Sequence, residues 1–139
     1  MARLDAIHNA VKNALIKGGW TITADPYRIR YQDLDLFADL AAERTIFAAE
    51  RGPQKIVVEA KSFLGRSPVQ DLKIALGQYS IYRLFLQETE PDRKLYLAIA
   101  ESTHRRFFNK KAIQFIVEHE QLPLIVVNVN TEEIVSWIN

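Results

Sequence analysis

Lys55-Ile56-Val57-Val58-Glu59-Ala60-Lys61 is the stretch on which the fold turns. It is the most strand-prone segment of the chain, and the turn signal Glu50-Arg51-Gly52-Pro53-Gln54 introduces it, so a central strand is predicted here. Side chains alternate across a strand, so Glu59 and Lys61 share one face while Val58 and Ala60 share the other. A carboxylate and an ammonium in so apolar a strand are costly unless paired, hydrated or bound to a metal. Either the strand simply ends in water with a solvated Glu59–Lys61 pair, or the two are held there for chemistry.

Upstream, Asp35-Leu36-Phe37-Ala38-Asp39-Leu40-Ala41 alternates as a strand, with Leu36, Ala38 and Leu40 on one side and Asp35, Phe37 and Asp39 on the other. A plain hairpin turning at Gly52-Pro53 sets Glu59 opposite about Thr45 or Ile46, so a bulge or bend is needed to bring Asp39 alongside. Before it, Leu4, Ile7, Val11, Ala14 and Leu15 recur at helical spacing within Arg3 to Lys17, and Gly18-Gly19 ends that helix. Trp20-Thr21-Ile22-Thr23 follows as a short β-type stretch stopped by Asp25-Pro26.

Downstream, Val69 to Leu86 has a helical pattern of Val69, Leu72, Ala75, Leu76, Tyr79, Tyr82, Leu84 and Phe85, with Ser67 as its candidate cap. After Glu90-Pro91-Asp92, Lys94 to Ala100 reads as a strand. Thr103 to Glu120 reads as a second helix carrying Phe107, Ile113, Phe115 and Ile116. Leu124 to Val129 is a buried strand, and Glu132 to Ile138 an edge strand. The order α-β-β-β-α-β-α-β gives an α/β fold, a central mixed β-sheet flanked by helices. With neither repeats nor a long linker, residues 1–139 are expected to form a single domain.

The chain has 139 residues, 48% of them hydrophobic, enough for one sizeable core. Its 18 Lys and Arg against 17 Asp and Glu leave a net charge of +1, so there is no global basic field and any DNA-binding surface must be local. Arg28, Arg30, Arg66, Arg83, Arg93-Lys94, Arg105-Arg106 and Lys110-Lys111 could frame a phosphate track, although most helical cations are merely solvated. The absence of cysteine fits a reducing compartment. No signal-peptide pattern and no apolar run of about 20 residues is present, so a cytoplasmic protein without a membrane association is expected. Zinc spacing, a phosphate-binding glycine loop and a nucleophile elbow are all missing, and His104 and His119 read as surface residues.

Asp39, then a hairpin, then Glu59-Ala60-Lys61 at a strand end, then a helix bearing Gln78 and Tyr82 resembles the PD-(D/E)xK nuclease superfamily, whose fold is restriction-endonuclease-like. The Gln78-Tyr79-Ser80-Ile81-Tyr82 element is similar to its RecB-like branch. Over nearly the whole chain, including Val11 to Trp20, Glu59 to Gly65 and Ala75-Leu76-Gly77-Gln78-Tyr79, the sequence more closely resembles the XisH family. Members of that family are excision controlling factors associated with developmental removal of an fdxN DNA element.

The superfamily resemblance implies that Asp39 and Glu59 ligate Mg²⁺ or Mn²⁺, with the Ala60 carbonyl as a further ligand, and that Lys61 is the catalytic lysine. It implies that Gln78 and Tyr82, four apart on one helical face, line the site, although both also suit a core role. His8 stands near where RecB-like proteins often carry a histidine. Ala38 replaces the motif's proline. Asp35 is the reserve ligand and Glu43 a third choice. The XisH resemblance implies a XisI-like partner protein.

Two functions therefore compete. One is a nuclease-like, metal-dependent DNA-processing factor in programmed excision, the other a non-catalytic accessory or binding module for a site-specific recombinase. A homodimer that hides Phe107-Phe108 and the Val135-Ser136-Trp137-Ile138 tail is a third expectation, unless those residues are core.

Overall fold

The computed structural model describes residues 2–45 and 53–139. The elements run α1 (Ala2–Lys17), β1 (Thr21–Ala24), β2 (Tyr27–Tyr31), β3 (Leu34–Ala38), β4 (Leu40–Arg44), β5 (Gln54–Ala60) and α2 (Pro68–Thr89). They continue as β6 (Arg93–Ala100), α3 (Glu101–Thr103), a π-helical turn His104–Phe108, α4 (Lys111–His119), β7 (Leu124–Asn128) and β8 (Glu133–Ile138). A six-stranded sheet has the order β1-β4-β5-β6-β7-β8, and β2 and β3 form a separate hairpin. The β5-β6-β7 centre is parallel, while β1, β4 and β8 run antiparallel to their neighbours, so the sheet is mixed as expected.

The two-residue period of the strands distributes the core to both faces of the sheet. Ile7, Val11, Ala14 and Leu15 of α1 pack against Leu40, Val58, Ala98 and Ile125 on one face. On the other, Leu97, Ile99, Leu124 and Val126 meet Leu72 and Ala75 of α2 with Phe107, Phe108 and Ile113. Val57 and Leu95 continue that layer under Tyr82, Leu86 and the hairpin's Ile29 and Ala38. At the start of α2, the Ser67 hydroxyl accepts the Gln70 amide at 3.2 Å and Pro68 opens the first turn, where its missing N–H leaves nothing unsatisfied.

Four expectations are corrected. Asp35 to Ala41 is not one strand: the chain bends at Asp39, and its two halves enter different sheets as β3 and β4. The apolar alternation runs unbroken through the bend, which is why periodicity alone does not reveal it. Tyr27–Tyr31 is a further strand paired with β3, so the order of elements has more strands than the sequence suggested. Thr103 to Glu120 is interrupted between Phe108 and Lys111, and Phe115 on α4 faces solvent, 67% exposed.

The fourth correction concerns register. Leu40 pairs with Val58 and Arg44 with Gln54, and one further step along this ladder sets Asp39 opposite Glu59. This register, together with the bend at Asp39 just beyond its last pair, brings the two acidic residues alongside, with no bulge in the β4–β5 ladder. The hairpin turn expected at Gly52-Pro53, with Ile46 as a partner, involves residues outside those described.

Phe107 and Phe108 are buried in the core, and Trp137 packs on Trp20 and Tyr96 with ring centroids 5.6 and 5.1 Å apart. Among the described residues no helix is long and apolar enough to cross a membrane.

Candidate metal centre

The C-terminal end of β5 is where the parallel centre of the sheet meets its antiparallel flank. Open α/β sheets bind ligands outside the carboxyl ends of parallel strands, because the chain reverses there and leaves a crevice. Here the Lys61 amide makes the last ladder bond, to the Ala98 carbonyl at 3.0 Å. Ala60 N–H looks the other way, towards β4, where the bend has removed a backbone acceptor. The Asp39 carboxylate takes that place: its Oδ2 accepts the Ala60 amide at 2.7 Å.

Asp39 is thereby fixed beside Glu59 on the adjoining strand. Glu59 has only 15% of its side chain exposed, and its one cation among the described residues is Lys61, whose Nζ lies 3.8 Å from Glu59 Oε2. Burial, reinforced by the neighbouring Asp39 charge, pushes the Glu59 carboxyl up to about 8, and Lys61 only partly offsets them. Two carboxylates and one ammonium thus converge at one strand end.

The other Asp39 oxygen is held from α1. His8 Nδ1 lies 2.9 Å from Asp39 Oδ1, and its Nε2 lies 2.9 Å from Asp25 Oδ1. Lys12, one helical turn after His8, donates to Asp25 Oδ2 at 2.7 Å. The Lys12 ammonium, with His8 beside it, holds the Asp25 carboxyl below the usual range. Sequence reasoning missed Asp25 and Lys12: Asp25-Pro26 reads only as a strand stop. The available signal was the four-residue spacing of His8 and Lys12 on one helical face.

On the α2 side, Tyr82 is buried and its hydroxyl donates to the Phe37 carbonyl at 3.2 Å. Burial raises its phenol, and the charges of Glu59 and Asp39 add to that rise, so Tyr82 lies within their field. Gln78, one turn earlier, buries its Oε1 with no hydrogen-bond partner among the described residues, an acceptor that calls for a donor.

The reserve candidates lie elsewhere. Asp35 makes a two-pronged ion pair with Arg28 on the hairpin, both bonds 2.7 Å, in an exposed position. Glu43 pairs with Arg93 at 3.0 Å and sits opposite Lys55, towards the far end of the β4–β5 ladder. Among the described residues no group of three or more His, Cys, Asp or Glu side chains forms a metal-binding cluster. The protein's candidate set is thus two carboxylates, each still offering oxygen lone pairs, with the Ala60 carbonyl at the same strand end.

Comparison with solved structures identifies two close relatives. An XisH family protein from Nostoc punctiforme PCC 73102 is 38% identical, covers 97% of this chain and 100% of its own, and superposes with a TM-score of 0.88. An fdxN element excision controlling factor protein from Anabaena variabilis is 42% identical over 97% of this chain and 99% of its own, with a TM-score of 0.87. No curated protein sequence matches the chain. A sequence model of the XisH protein family matches residues 1–135, and on that match the chain belongs to the XisH family.

Proposed function

We propose that this protein is a metal-dependent, nuclease-like DNA-processing factor that acts in excision of a DNA element. In this reading its single domain, residues 1–139, is a restriction-endonuclease-like fold of the PD-(D/E)xK kind. The observation that carries it is the convergence of Asp39, Glu59 and Lys61 at one strand end, with Glu59 pushed up to about 8 by burial and by Asp39. Two such carboxylates side by side repel, and a cation between them would relieve the repulsion.

The donor set suits Mg²⁺ or Mn²⁺, which take hard oxygen ligands and keep several waters, so two carboxylates and a substrate oxygen suffice. When bound, such a cation polarises a phosphoryl oxygen and acidifies a water. Asp39 and Glu59 would hold it, and the Ala60 carbonyl could add a ligand. His8 and the Ala60 amide grip both Asp39 oxygens and so fix the carboxylate's direction. Lys61, within reach of Glu59, would supply positive charge to the attacked phosphate and orient the incoming water. Tyr82 anchors α2 over this end of the site through the Phe37 carbonyl.

A second reading has its own support. The Anabaena relative is named an excision controlling factor, and a net charge of +1 gives this chain no broad attraction for DNA. In that reading the protein is an accessory module for a recombinase, alone or with a second partner protein. Reconstituted excision with the Lys61→Ala protein separates the two. Catalysis by this chain requires that excision fall by about a hundredfold or more, the scale of one charge-stabilising group; wild-type excision by the variant favours the accessory role.

A further inference from the structure

A cleft of about 360 Å³ opens at the C-terminal ends of β5 and β6. It is joined to the site twice along the chain. Ser62, in its lining, directly follows Lys61, and Ile7, also in its lining, directly precedes His8. Thr103 Oγ1 reaches the Ser62 carbonyl at 3.4 Å and ties the loop after β5 to the start of α3. The cleft thus lies one residue along the chain from both Lys61 and His8.

Ile7, Leu64 and Val129 make its sides apolar, and Leu64 and Val129 remain 52% and 40% exposed, apolar surface that an occupant would cover. Ser102 and Asn130 contribute neutral hydrogen-bonding groups, and Arg106 is its one charged residue among those described. No carboxylate lines it among the described residues, although acidic groups crowd the neighbouring site. Apolar side chains, an amide with both donor and acceptor, and one cation among the described residues together suit a ring system that carries a phosphate.

We propose that this cleft receives the base of one unpaired nucleotide in a DNA strand, adjacent to the phosphate addressed by Asp39 and Glu59. The assignment rests on the reading of the carboxylate site given above. Small-ligand clefts run from roughly 300 to 1,000 Å³, so this one admits a single nucleotide and cannot take a duplex. A paired base inside a duplex cannot enter such a cleft, whereas a single-stranded or flipped base can. The substrate class is therefore single-stranded DNA, or DNA at a junction or distorted step.

The test is binding of a labelled single-stranded oligonucleotide, its duplex and a free deoxynucleoside monophosphate to the full chain, with calcium as the cation. Val129→Trp fills the cleft from an exposed position, and Asn130→Ala removes its amide. The single strand is expected to bind about tenfold or more tightly than the duplex, and Val129→Trp to lose about tenfold in single-strand affinity, the worth of one base contact. Asn130→Ala should lose several-fold, which keeps the test decisive should the tryptophan variant fold poorly. Equal affinity of both variants and wild type, equal binding of duplex and single strand, or preference for the free monophosphate over the oligonucleotide would each overturn the assignment. Manganese-induced thermal stabilisation reads the carboxylate site separately. Its absence in wild type, with variant-sensitive oligonucleotide binding intact, would sink the metal reading and with it the placement beside a metal-held phosphate, leaving only the cleft's binding of an unpaired base.

Discussion

Glu59 lies under two opposing demands. β5 carries it into a poorly hydrated corner next to Asp39, where its charge is unwelcome, yet among the described residues no neighbouring cation other than Lys61 neutralises it. A carboxyl raised from its ordinary value near 4.5 to about 8 retains its proton in the folded protein over a range where the unfolded chain has lost it. The folded state then binds the extra proton, so this residue's contribution to stability is fully present below pH 4.5 and is lost as pH rises to about 8. Within that window the slope is at most about 1.4 kcal/mol per pH unit. Denaturant melts of the metal-free protein from pH 5 to 8 should therefore fall more steeply for wild type than for Glu59→Gln. Parallel curves would show that Glu59 ionises freely. Manganese should reverse the trend at pH 8, because a ligand bound only by the folded state raises stability by RT ln(1 + [L]/Kd); Glu59→Gln should lose that gain.

The pattern of Glu59 and Lys61 was legible because a two-residue period is a local property of the strand. Their relation to Asp39 was only half legible. The sequence marked Asp39 as the partner but left it apparently out of register, since the position of the hairpin's turn depends on long-range pairing that composition does not encode. Asp25 escaped notice for a similar reason: only the packing of α1 against the chain around Asp25 brings its carboxylate to His8.

At the scale of elements, α2 holds the clearest departure from self-sufficiency. Gly77 sits in the interior of this 22-residue helix at an exposed position, and a Cβ added there meets nothing within 4 Å. Glycine in a helix interior costs about 0.5–1 kcal/mol relative to alanine, chiefly through backbone entropy in the unfolded chain. Gly77→Ala should raise the stability of the isolated protein by about that amount in urea melts. A loss of stability would mean that the helix is more crowded at Gly77 than its surroundings indicate.

Element type followed from periodicity where one rule governed a whole segment, as in β5, β6 and β7 with their continuous apolar runs. It failed where two elements shared one pattern. Leu36, Ala38 and Leu40 alternate as if in one strand, yet Ala38 packs with Val57 and Tyr82 while Leu40 packs with Val58 under α1. The bend at Asp39 sends consecutive apolar residues to opposite faces of the sheet. Tyr27–Tyr31 was passed over because Arg28 and Arg30 make it look like a solvated loop; in the structure they occupy the hairpin's outer face, with Ile29 turned into the core.

At the scale of the molecule, the sheet separates two helical layers, and the candidate site lies where both can reach its end. α1 supplies His8 and Lys12, while α2 supplies Tyr82. The family was legible over nearly the whole chain, and the mixed sheet with helices on both faces matched the sequence pattern. Catalysis is a further step, since a fold can keep its site residues while serving as a scaffold. Cleavage is the direct discriminator: the purified protein is incubated with manganese and single-stranded, junction-containing and duplex DNA, alongside Lys61→Ala. The account predicts metal-dependent cleavage by wild type, reduced about a hundredfold or more in Lys61→Ala with manganese stabilisation retained, because the lysine acts mainly in the transition state. No cleavage of any of these DNAs by wild type, or equal cleavage by the two proteins, would contradict it.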